Sequence, residues 1–594
     1  MAESRNSNEL IEEACRKLSE KLNFPFKLKT EQRNALESLL NGNDVLAVLP
    51  TGYGKSLIFQ LYILVAQIER IKRTALVVCP LRSIIDDQIG EARGFGISVA
   101  SLADLSEDEL KASEFELLFG SAETVLDKRF LDILKDPDAS LNRVLSVIVI
   151  DESHTVEMWT GQRSRGKNLS TSGGGFREAF GKLSTLRSFC KQGTHVLAIT
   201  GTADDETQKV IIKGLSLKQT KRFYVSPNRP NLRISVIKCK KQEMFTNLEW
   251  LIRLVKEQGT ATPKSIIFCN GSLTDIAAVF NHMLLQLGSY AYFPQDSQTS
   301  PNCLVGIYHS LTLQKYKDRI TNSFKGNGKK RIIIASSALS MGVNFPDVRY
   351  VIHWGPSRNM LDYHQQSGRG GRDNKPTQVL TIYYGQQISF CEENVKAFLR
   401  TTSCYRIEAY KPFDRNITPV KPAHACCRNC AKTCKCSDGE NECSETVPVF
   451  EVEKNDDVLP PTTHLSRPIS SSDKEDLHDG LHEMVQVILP TMRLLNENMS
   501  DGYVDELIVD IVDNAHTIFT IVDVIKYLPV FAFQHAIKIL EIFHDIFEDI
   551  PNLDIMVEMF GRNEPTLYDI PQPVEYTFDD IDSDDQMETE CDFE

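Results

Sequence analysis

The sequence lacks the features of membrane-spanning, secreted, fibrous and disulfide-stapled proteins. Its 594 residues contain no uninterrupted apolar stretch of about 18 residues, and the first twenty-two are charged throughout, without the apolar core of a secretory signal. Glycine (32), proline (25) and cysteine (15) are too few for a collagen-like chain or a disulfide scaffold. We therefore expect a mainly globular, unsecreted protein of about three or four domains, with no membrane partner.

Charge is distributed unevenly along the chain. Residues 441–594 carry a formal net charge of −29 and residues 1–440 carry +14, which together make the −15 of the whole sequence. A basic body suits a polyanionic partner such as nucleic acid, whereas the acidic region would repel one, so the two regions are expected to have different roles. An ordinary solvated surface is the alternative explanation of the basic excess.

Short apolar runs alternate with helical stretches between residues 45 and 354. Seven of them predict buried strands: GNDVLAVLP, TALVVCP, SVIVID, THVLAIT, KSIIFCN, KRIIIASS and RYVIHW. This alternation predicts parallel sheets with crossover helices, and the fold class is therefore α/β. Seven strands exceed one compact unit, so we expect two lobes, 1–225 and 226–400, that meet in the Pro- and Arg-containing segment 225–233.

The pattern changes after residue 400. Four further segments follow: a cysteine-rich subdomain (401–445), a polar linker (446–480), an acidic helical region (481–560) and an acidic tail that we expect to be disordered (561–594). Because the helical region is acidic, we expect it to bind a protein partner or to dimerise rather than to contact DNA.

Cysteine is concentrated in the subdomain that follows the second lobe. Seven of the fifteen cysteines lie within forty residues: Cys404, Cys426, Cys427, Cys430, Cys434, Cys436 and Cys443. In a reducing compartment such a cluster is more often a metal site than a disulfide framework, and four thiolates would complete a tetrahedral Zn²⁺ site. Reduced thiols without a ligand are the alternative.

A glycine-rich loop connects the first predicted strand to the helical stretch SLIFQLYILVAQ. Its residues are Pro50, Thr51, Gly52, Tyr53, Gly54, Lys55 and Ser56. The glycines allow backbone N–H groups to approach phosphate oxygens, Lys55 is expected to reach the β- and γ-phosphates, and Ser56 is expected to ligate Mg²⁺. The strict phosphate-loop pattern needs glycine at position 49, where the chain has Leu49. A structural glycine-rich turn is the alternative.

The apolar run SVIVID ends in Asp151, which Glu152 follows. At the carboxyl end of a buried strand, Asp151 is expected to hold Mg²⁺ through water and Glu152 to polarise the attacking water. Downstream of a phosphate loop, this pair predicts hydrolysis of a nucleoside triphosphate.

Two arginines three residues apart, Arg369 and Arg372, occur in YHQQSGRGGRD. Their spacing predicts one helical face, from which they would enter an interlobe cleft and neutralise charge developing on the γ-phosphate. A solvated basic helix is the alternative, which the glycines at 368, 370 and 371 disfavour.

These motifs resemble those of superfamily 2 helicases and, among them, the RecQ family. The resemblance lies in PTGYGKS, VVCPLRSIIDDQI, FGSAE, DESH, TGTA and the block IIIASSALSMGVNFPDVRYVIHWGPSRNMLDYHQQSGRGGRD, and it covers roughly residues 25–435. It implies two RecA-like lobes and a small helical zinc subdomain with Cys404, Cys426, Cys427 and Cys430 as ligands. Cys434 or Cys436 could replace Cys426.

The resemblance also implies a function. It points to a helicase that uses ATP and Mg²⁺ to move 3' to 5' on single-stranded DNA and to unwind duplex DNA, in repair or recombination. The expected location is the nucleus of a eukaryote, or otherwise the cytoplasm. Gln32 in LKTEQRNAL would contact the adenine, and Lys29 stands where the family usually has arginine.

The chain departs from the family pattern in places. Tyr53 replaces a glycine, and Asn344 stands where aspartate is common. The family's aromatic-rich loop, which couples single-stranded DNA to ATP hydrolysis, would include Trp159, Phe176 and Arg177. Here the insertion TGQRSRGKNLSTSGGG separates them and carries Arg163 and Arg165. These residues would contact DNA by stacking and charge, or the insertion is an unstructured loop.

The sequence also allows two alternative functions. One is a DNA-binding regulator that uses the lobes as an ATP-switched clamp without processive unwinding, since no winged-helix sequence follows the cysteines. The other is an RNA helicase, which the cysteine cluster and the last motif block disfavour.

Overall fold

The computed structural model describes residues 6–25, 27–80, 82–156, 174–297, 299–340, 343–434, 466–495, 501–530, 533–550 and 553. In these residues, two parallel β-sheets carry the two predicted lobes. The central strands are buried along their whole length, because helices cover both faces of each sheet, and this explains why their sequences are continuously apolar.

The first lobe contains a seven-stranded sheet in the order β3-β4-β2-β5-β6-β1-β7. Its strands are β1 (Val45–Val48), β2 (Thr74–Val78), β3 (Val99–Ser101), β4 (Leu117–Gly120), β5 (Leu145–Ile150), β6 (His195–Thr200) and β7 (Lys221–Tyr224). Its helices are α1 (Ser7–Leu22), α2 (Thr30–Leu40), α3 (Leu57–Glu69), α4 (Arg82–Gly94), α5 (Glu107–Ala112), α6 (Ala122–Val125), α7 (Lys128–Lys135), α8 (Ser140–Val144), α9 (Gly174–Leu186) and α10 (Asp205–Gly214).

The second lobe contains a six-stranded sheet in the order β10-β11-β9-β12-β13-β8. Its strands are β8 (Leu232–Lys238), β9 (Lys264–Cys269), β10 (Val305–Tyr308), β11 (Ile332–Ala335), β12 (Val348–Trp354) and β13 (Thr377–Tyr383). Its helices are α11 (Glu249–Gln258), α12 (Leu273–Leu287), α13 (Gln314–Phe324) and α14 (Met360–Ser367).

The predicted α/β class with two parallel-sheet lobes is confirmed. All seven predicted strands form, as β1, β2, β5, β6, β9, β11 and β12. Six other strands were not predicted. Some are short or polar: β3 has three residues, and β7 begins with the exposed Lys221 and Arg222. The seven-residue β13 is buried, but its sequence TQVLTIY is not a continuous apolar run. The first sheet ends at Tyr224 and the second begins at Leu232, on either side of the expected boundary.

The second lobe ends in α15 (Glu393–Arg400), and the cysteine-rich subdomain adds three short helices next to the second sheet. They are α16 (Tyr405–Tyr410), α17 (Ala423–Cys426) and α18 (Arg428–Ala431). Cys427, between the last two helices, forms an isolated parallel bridge to Ile234 on edge strand β8. Cys404, Cys426 and Cys427 belong to the same buried cluster as the second sheet, so this subdomain shares the core of the second lobe.

The described residues of 277–302 and 459–594 form a second compact unit, which includes α12 from residue 277 onward. Its further helices are α19 (Ser471–Leu495), α20 (Asp501–Asn514), α21 (Ile521–Tyr527) and α22 (Phe533–Phe547). At its centre the buried Arg467 donates to both carboxylate oxygens of Asp549, each at 2.7 Å, and lies over the rings of Phe519, Phe543 and Phe547.

The predicted linker is too long at its C-terminal end. It was expected to reach residue 480, but α19 begins at Ser471, because the Ser470 hydroxyl accepts from the Asp473 N–H and the Asp473 carboxylate accepts from the Ser470 N–H. The acidic tail (561–594) lies outside the described residues. Across the part of the chain that the structure describes, no helix is long and apolar enough to span a membrane.

Candidate nucleotide site and cysteine cluster

The glycine-rich loop lies between β1 and α3, as predicted. Gly52 and Gly54 have φ values of +82° and +83°, which side-chain-bearing residues adopt only with strain. A Cβ on Gly54 would also lie 2.7 Å from Nε2 of Gln32. Both glycines are therefore required for this loop, which precedes the N-terminus of α3, where a phosphate group is favoured.

Gln32 contacts this loop directly. Its Nε2 donates to the carbonyl oxygens of Tyr53 (2.8 Å) and Gly54 (2.9 Å), and its Oε1 accepts from the Lys29 N–H (2.9 Å). The side chain of Tyr53 lies in the same contact region, since its hydroxyl donates to the Glu31 carboxylate and its ring lies 3.8 Å from the Lys29 Nζ. The start of α2 thus holds the phosphate loop through both main chain and side chain.

Asp151 lies at the carboxyl end of β5, as predicted, and is buried. Its Oδ2 accepts from Gln88 Nε2 at 3.0 Å, and its Oδ1 accepts from the Glu152 N–H at 2.8 Å. Burial and the adjacent Glu152 raise the pKa of the Asp151 carboxyl to about 6, against the opposing charge of Lys55. A buried carboxylate near a phosphate loop is a suitable group to hold Mg²⁺, which would favour its ionised form.

Glu152 has a φ of +46°, which is uncommon for a residue with a side chain. This conformation directs the chain away from β5 at the point where the acidic pair lies. Burial opposes ionisation of Glu152, but the charges of Lys55 and Arg369 help to hold its pKa below the usual range. Glu152 is therefore an ionised carboxylate that can accept a proton from water.

His154 and Gln365 connect the two lobes, a role that was not predicted for either residue. Gln365 Nε2 donates to His154 Nε2 at 2.7 Å, and His154 Nδ1 lies 2.8 Å from Thr200 Oγ1 and 3.3 Å from Glu152 Oε2. Burial lowers the pKa of His154, so its imidazole is neutral, with the proton on Nδ1. His154 lies in the DESH motif and Gln365 in the motif block that ends in GRGGRD. These positions are the sequence signal from which a role for the two residues could have been predicted.

The prediction that Arg369 and Arg372 share a helical face is wrong. Helix α14 ends at Ser367, and the arginines lie in the turn that follows, where Gly371 has a φ of +57°. Glycine at 368, 370 and 371 favours the end of the helix over its continuation. We call residues 368–372 the arginine turn.

Arg369 is buried, Arg372 is half-buried, and both are held by main-chain or amide oxygens. Arg369 donates to the carbonyl oxygens of Ser340 and Val343, and Arg372 Nη1 donates to Asn344 Oδ1 at 2.6 Å. Burial lowers the pKa of Arg369 to about 10 and that of Arg372 well below its usual value.

Each arginine retains unused donor capacity. Among the described residues, no carboxylate forms an ion pair with Arg369 or Arg372, and Arg369 Nε and Arg372 Nη2 have no hydrogen-bond partner. Buried cationic groups with free donors favour an anionic ligand, because an unpaired buried charge is costly. Gln365, four residues before Arg369, contacts His154, two residues after Glu152, so this part of the second lobe lies beside the acidic pair.

The four predicted zinc ligands Cys404, Cys426, Cys427 and Cys430 lie together. All four Sγ atoms lie within 4.8 Å of one another; Cys404 Sγ lies 3.7 Å from Cys426 Sγ and 4.0 Å from Cys427 Sγ. A tetrahedral zinc with Zn–S bonds of 2.3 Å separates its sulfurs by about 3.8 Å, so these residues fit Zn²⁺. Cys434 instead lies 3.4 Å from His424 Nδ1, and Cys436 lies outside the described residues.

The predicted DNA contacts lie largely outside the described residues. This applies to Trp159, Arg163 and Arg165. Phe176 and Arg177 belong to α9, whose backbone is described there while their side chains are not. Their roles stay predictions.

Two family models match the chain. The DEAD/DEAH box helicase model covers residues 29–210, and the helicase conserved C-terminal domain covers residues 246–374, which together are just over half of the chain. The DEAD-box helicase Mss116, solved with single-stranded RNA and UDP-BeF, superposes with a TM-score of 0.51 at 16% identity, over 86% of this chain and 92% of that one, and supports the fold. Fold and site together define the core of a superfamily 2 helicase.

Proteins of similar sequence indicate which family of superfamily 2 helicases this is. The ATP-dependent DNA helicase RecQ of Haemophilus influenzae is 27% identical over 360 residues, which are 59% of this chain and 50% of that protein. The protein of the same name from Synechocystis is 28% identical over 388 residues, 63% of this chain and 70% of its own length. The chain belongs to the RecQ family of superfamily 2 helicases. The aligned residues span about half the length of the Haemophilus relative.

Proposed function

We propose that the protein is an ATP- and Mg²⁺-dependent DNA helicase that moves 3' to 5' along single-stranded DNA and unwinds duplexes. One observation carries this proposal: Gln365, four residues before the partly unpaired Arg369, donates at 2.7 Å to His154, which lies two residues after Glu152 in the other lobe. A triphosphate at this position would meet a cation from each lobe. Its binding would close the cleft and its hydrolysis would release it, which is the cycle a translocating motor requires.

In this mechanism each group has one role. The loop N–H groups and Lys55 bind the phosphates, Ser56 and Asp151 hold Mg²⁺, and Glu152 accepts a proton from the attacking water. Mg²⁺ supplies charge neutralisation at the phosphate oxygens. Arg369 and Arg372 neutralise the charge that develops on the γ-phosphate. Gln32 contacts the adenine, for which its Oε1 keeps a second acceptor position beside the bond from the Lys29 N–H.

A strand-displacement assay on 3'-tailed and 5'-tailed duplexes of DNA and of RNA, with ATP hydrolysis measured in parallel, tests the proposal. We expect unwinding of 3'-tailed DNA only, together with DNA-stimulated hydrolysis. Hydrolysis without displacement of any duplex would favour an ATP-switched clamp, and preference for RNA duplexes would identify an RNA helicase.

We also propose that the cysteine cluster binds one Zn²⁺. Elemental analysis of freshly purified, reduced protein should find about one zinc per chain. Cys430→Ser should lose it and destabilise the subdomain, because binding energy on the order of 10 kcal/mol also holds such a site folded. Cys434→Ser is the matched control and should retain the metal. Zinc-free wild-type protein would contradict the proposal.

The cellular role is also a proposal. The basic region of residues 1–440 would bind single-stranded and duplex DNA, while the acidic region from residue 441 would bind a protein partner. We propose a role in DNA repair or recombination, in the nucleus if the cell is eukaryotic and otherwise in the cytoplasm. Imaging of the tagged protein before and after DNA damage tests this location, and exclusion from the nucleus of a eukaryotic host under both conditions would contradict it.

A further inference from the structure

The arginine turn is held by side chains from the segment between the two sheets. The guanidinium of Arg229 donates to the carbonyl oxygen of Gly370. Asn231 Nδ2 donates to the carbonyl oxygens of Gly371 at 2.7 Å and Lys375 at 2.9 Å. Two consecutive peptide groups of the turn are thus fixed by residues about 140 positions earlier in the chain.

The glycines of the turn are closely packed by their neighbours. A Cβ on Gly370 would lie 2.7 Å from Thr377 Cγ2 and 2.9 Å from Val351 Cγ2. A Cβ on Gly371 would lie 2.5 Å from Asn231 Nδ2. Strands β12 and β13 therefore support the turn from below, while Arg229 and Asn231 fix its carbonyl groups.

The segment that carries Arg229 and Asn231 is itself anchored to the cysteine-rich subdomain. Arg406, which is fully buried, donates to Asn228 Oδ1, to the carbonyl oxygen of Arg229 at 3.1 Å and to that of Leu232. Its Nη2 also lies 3.5 Å from the carbonyl oxygen of Cys426. One guanidinium therefore connects the cysteine cluster to both ends of the segment 228–232.

We infer that Arg229 and Asn231 are positioning residues for Arg369 and Arg372, and that Arg406 fixes this arrangement to the cysteine-rich subdomain. This inference rests on the proposed function. Neither positioning residue needs to touch the nucleotide, since each acts through a carbonyl group of the turn. Placement matters for catalysis, because a displacement of about 1 Å can cost a factor of about 10² in rate.

The test compares two asparagines with the same chemistry at different places. Asn429 Nδ2 also donates to two carbonyl oxygens, those of Thr401 (3.3 Å) and Ser403 (2.8 Å), away from the arginine turn. In the full-length protein, Asn231→Ala should lower kcat for ATP hydrolysis about tenfold and change ATP affinity less than about twofold, because the arginine contact strengthens as charge develops. Asn429→Ala should leave kcat unchanged, and thermal unfolding of both variants should be recorded.

Asn231→Asp separates hydrogen bonding from packing. It keeps the shape of the side chain but cannot donate to the two carbonyl groups, so we expect at least the kcat loss of Asn231→Ala. A kcat equal to that of the wild type in both variants would overturn the inference. So would equal losses in Asn231→Ala and Asn429→Ala, since that would indicate general destabilisation.

Double-mutant cycles with Arg369→Ala and Arg372→Ala show whether Asn231 acts through the turn. If it does, Asn231→Ala should lower kcat by less than about twofold, instead of tenfold, in the background that lacks the arginine it positions. A full tenfold loss in both backgrounds would overturn the inference. If Arg369→Ala and Arg372→Ala themselves leave kcat unchanged, the proposed function fails, whatever Asn231 does.

Discussion

The two lobes place their charged groups by different means. In the first lobe, the phosphate loop follows β1 and the acidic pair follows β5, so each group is positioned by the strand immediately before it. In the second lobe, the arginines lie beyond the end of α14 and are held by Ser340, Val343 and the segment 228–232. Local sequence thus positions the phosphate loop and the acidic pair, whereas long-range contacts position the arginine turn.

The two lobes also differ in how their charged groups are balanced. The charge of Lys55 favours the ionised form of both carboxylates in the first lobe, whereas Arg369, Arg372 and Arg229 repel one another in the second. Within the described residues neither Arg369 nor Arg372 forms an ion pair with a carboxylate. A bound triphosphate would relieve this repulsion, so the second lobe depends more than the first on the ligand for its charge balance.

The largest effect should come from the acidic pair. Glu152→Gln should retain ATP binding but slow hydrolysis by a factor on the order of 10² to 10⁴, as expected when a general base is lost. Single-turnover hydrolysis measures the rate, and equilibrium binding of a fluorescent ATP analogue is the control. Near-normal turnover would remove Glu152 from the chemical step.

Removal of an arginine should have the next largest effect. Arg372→Ala should lower kcat by on the order of 10² with little change in ATP affinity, because the contact strengthens as charge develops. Steady-state kinetics with a separate ATP binding measurement distinguish the two effects. If affinity falls while kcat is maintained, Arg372 is a binding group and the transition-state role belongs to Arg369.

Loss of the interlobe contact should have a smaller effect. Gln365→Ala removes the donor to His154 and should lower DNA-stimulated kcat about tenfold, because His154 then orients Glu152 without support from the second lobe. Hydrolysis without DNA serves as the internal control and should change less. An equal fall with and without DNA would show that the contact does not couple the lobes.

The smallest effect should come from Tyr53. Tyr53→Phe removes the hydroxyl contact to Glu31 but retains the ring beside Lys29, so a loss of about 1 kcal/mol should weaken ATP binding about fivefold. Tyr53→Ala also removes the ring contact and should weaken binding further. Calorimetry or fluorescence titration checks both, and equal affinities for the two variants would leave the ring contact without a role.

The features that could be predicted from the sequence are those that local sequence patterns determine. Buried strands, the phosphate loop and the acidic pair were predictable because each combines a continuous apolar run with residues directly next to it. The turn that bears Arg369 and Arg372 was predicted as a helix, since spacing alone does not show where a helix ends. Arg229 and Asn231 gave no local signal, because their partners at 370 and 371 are about 140 residues away and are carbonyl groups that any residue could supply.

The bridge between Cys427 and Ile234 bears on solubility. Strand β8 is an edge of the second sheet, and an uncovered edge strand of seven residues can pair with another chain. The first sheet limits the same hazard with a three-residue strand at one edge and Lys221 and Arg222 at the other. In the second sheet the cysteine-rich subdomain covers part of β8. Loss of that cover would therefore expose a surface for aggregation as well as weaken the fold.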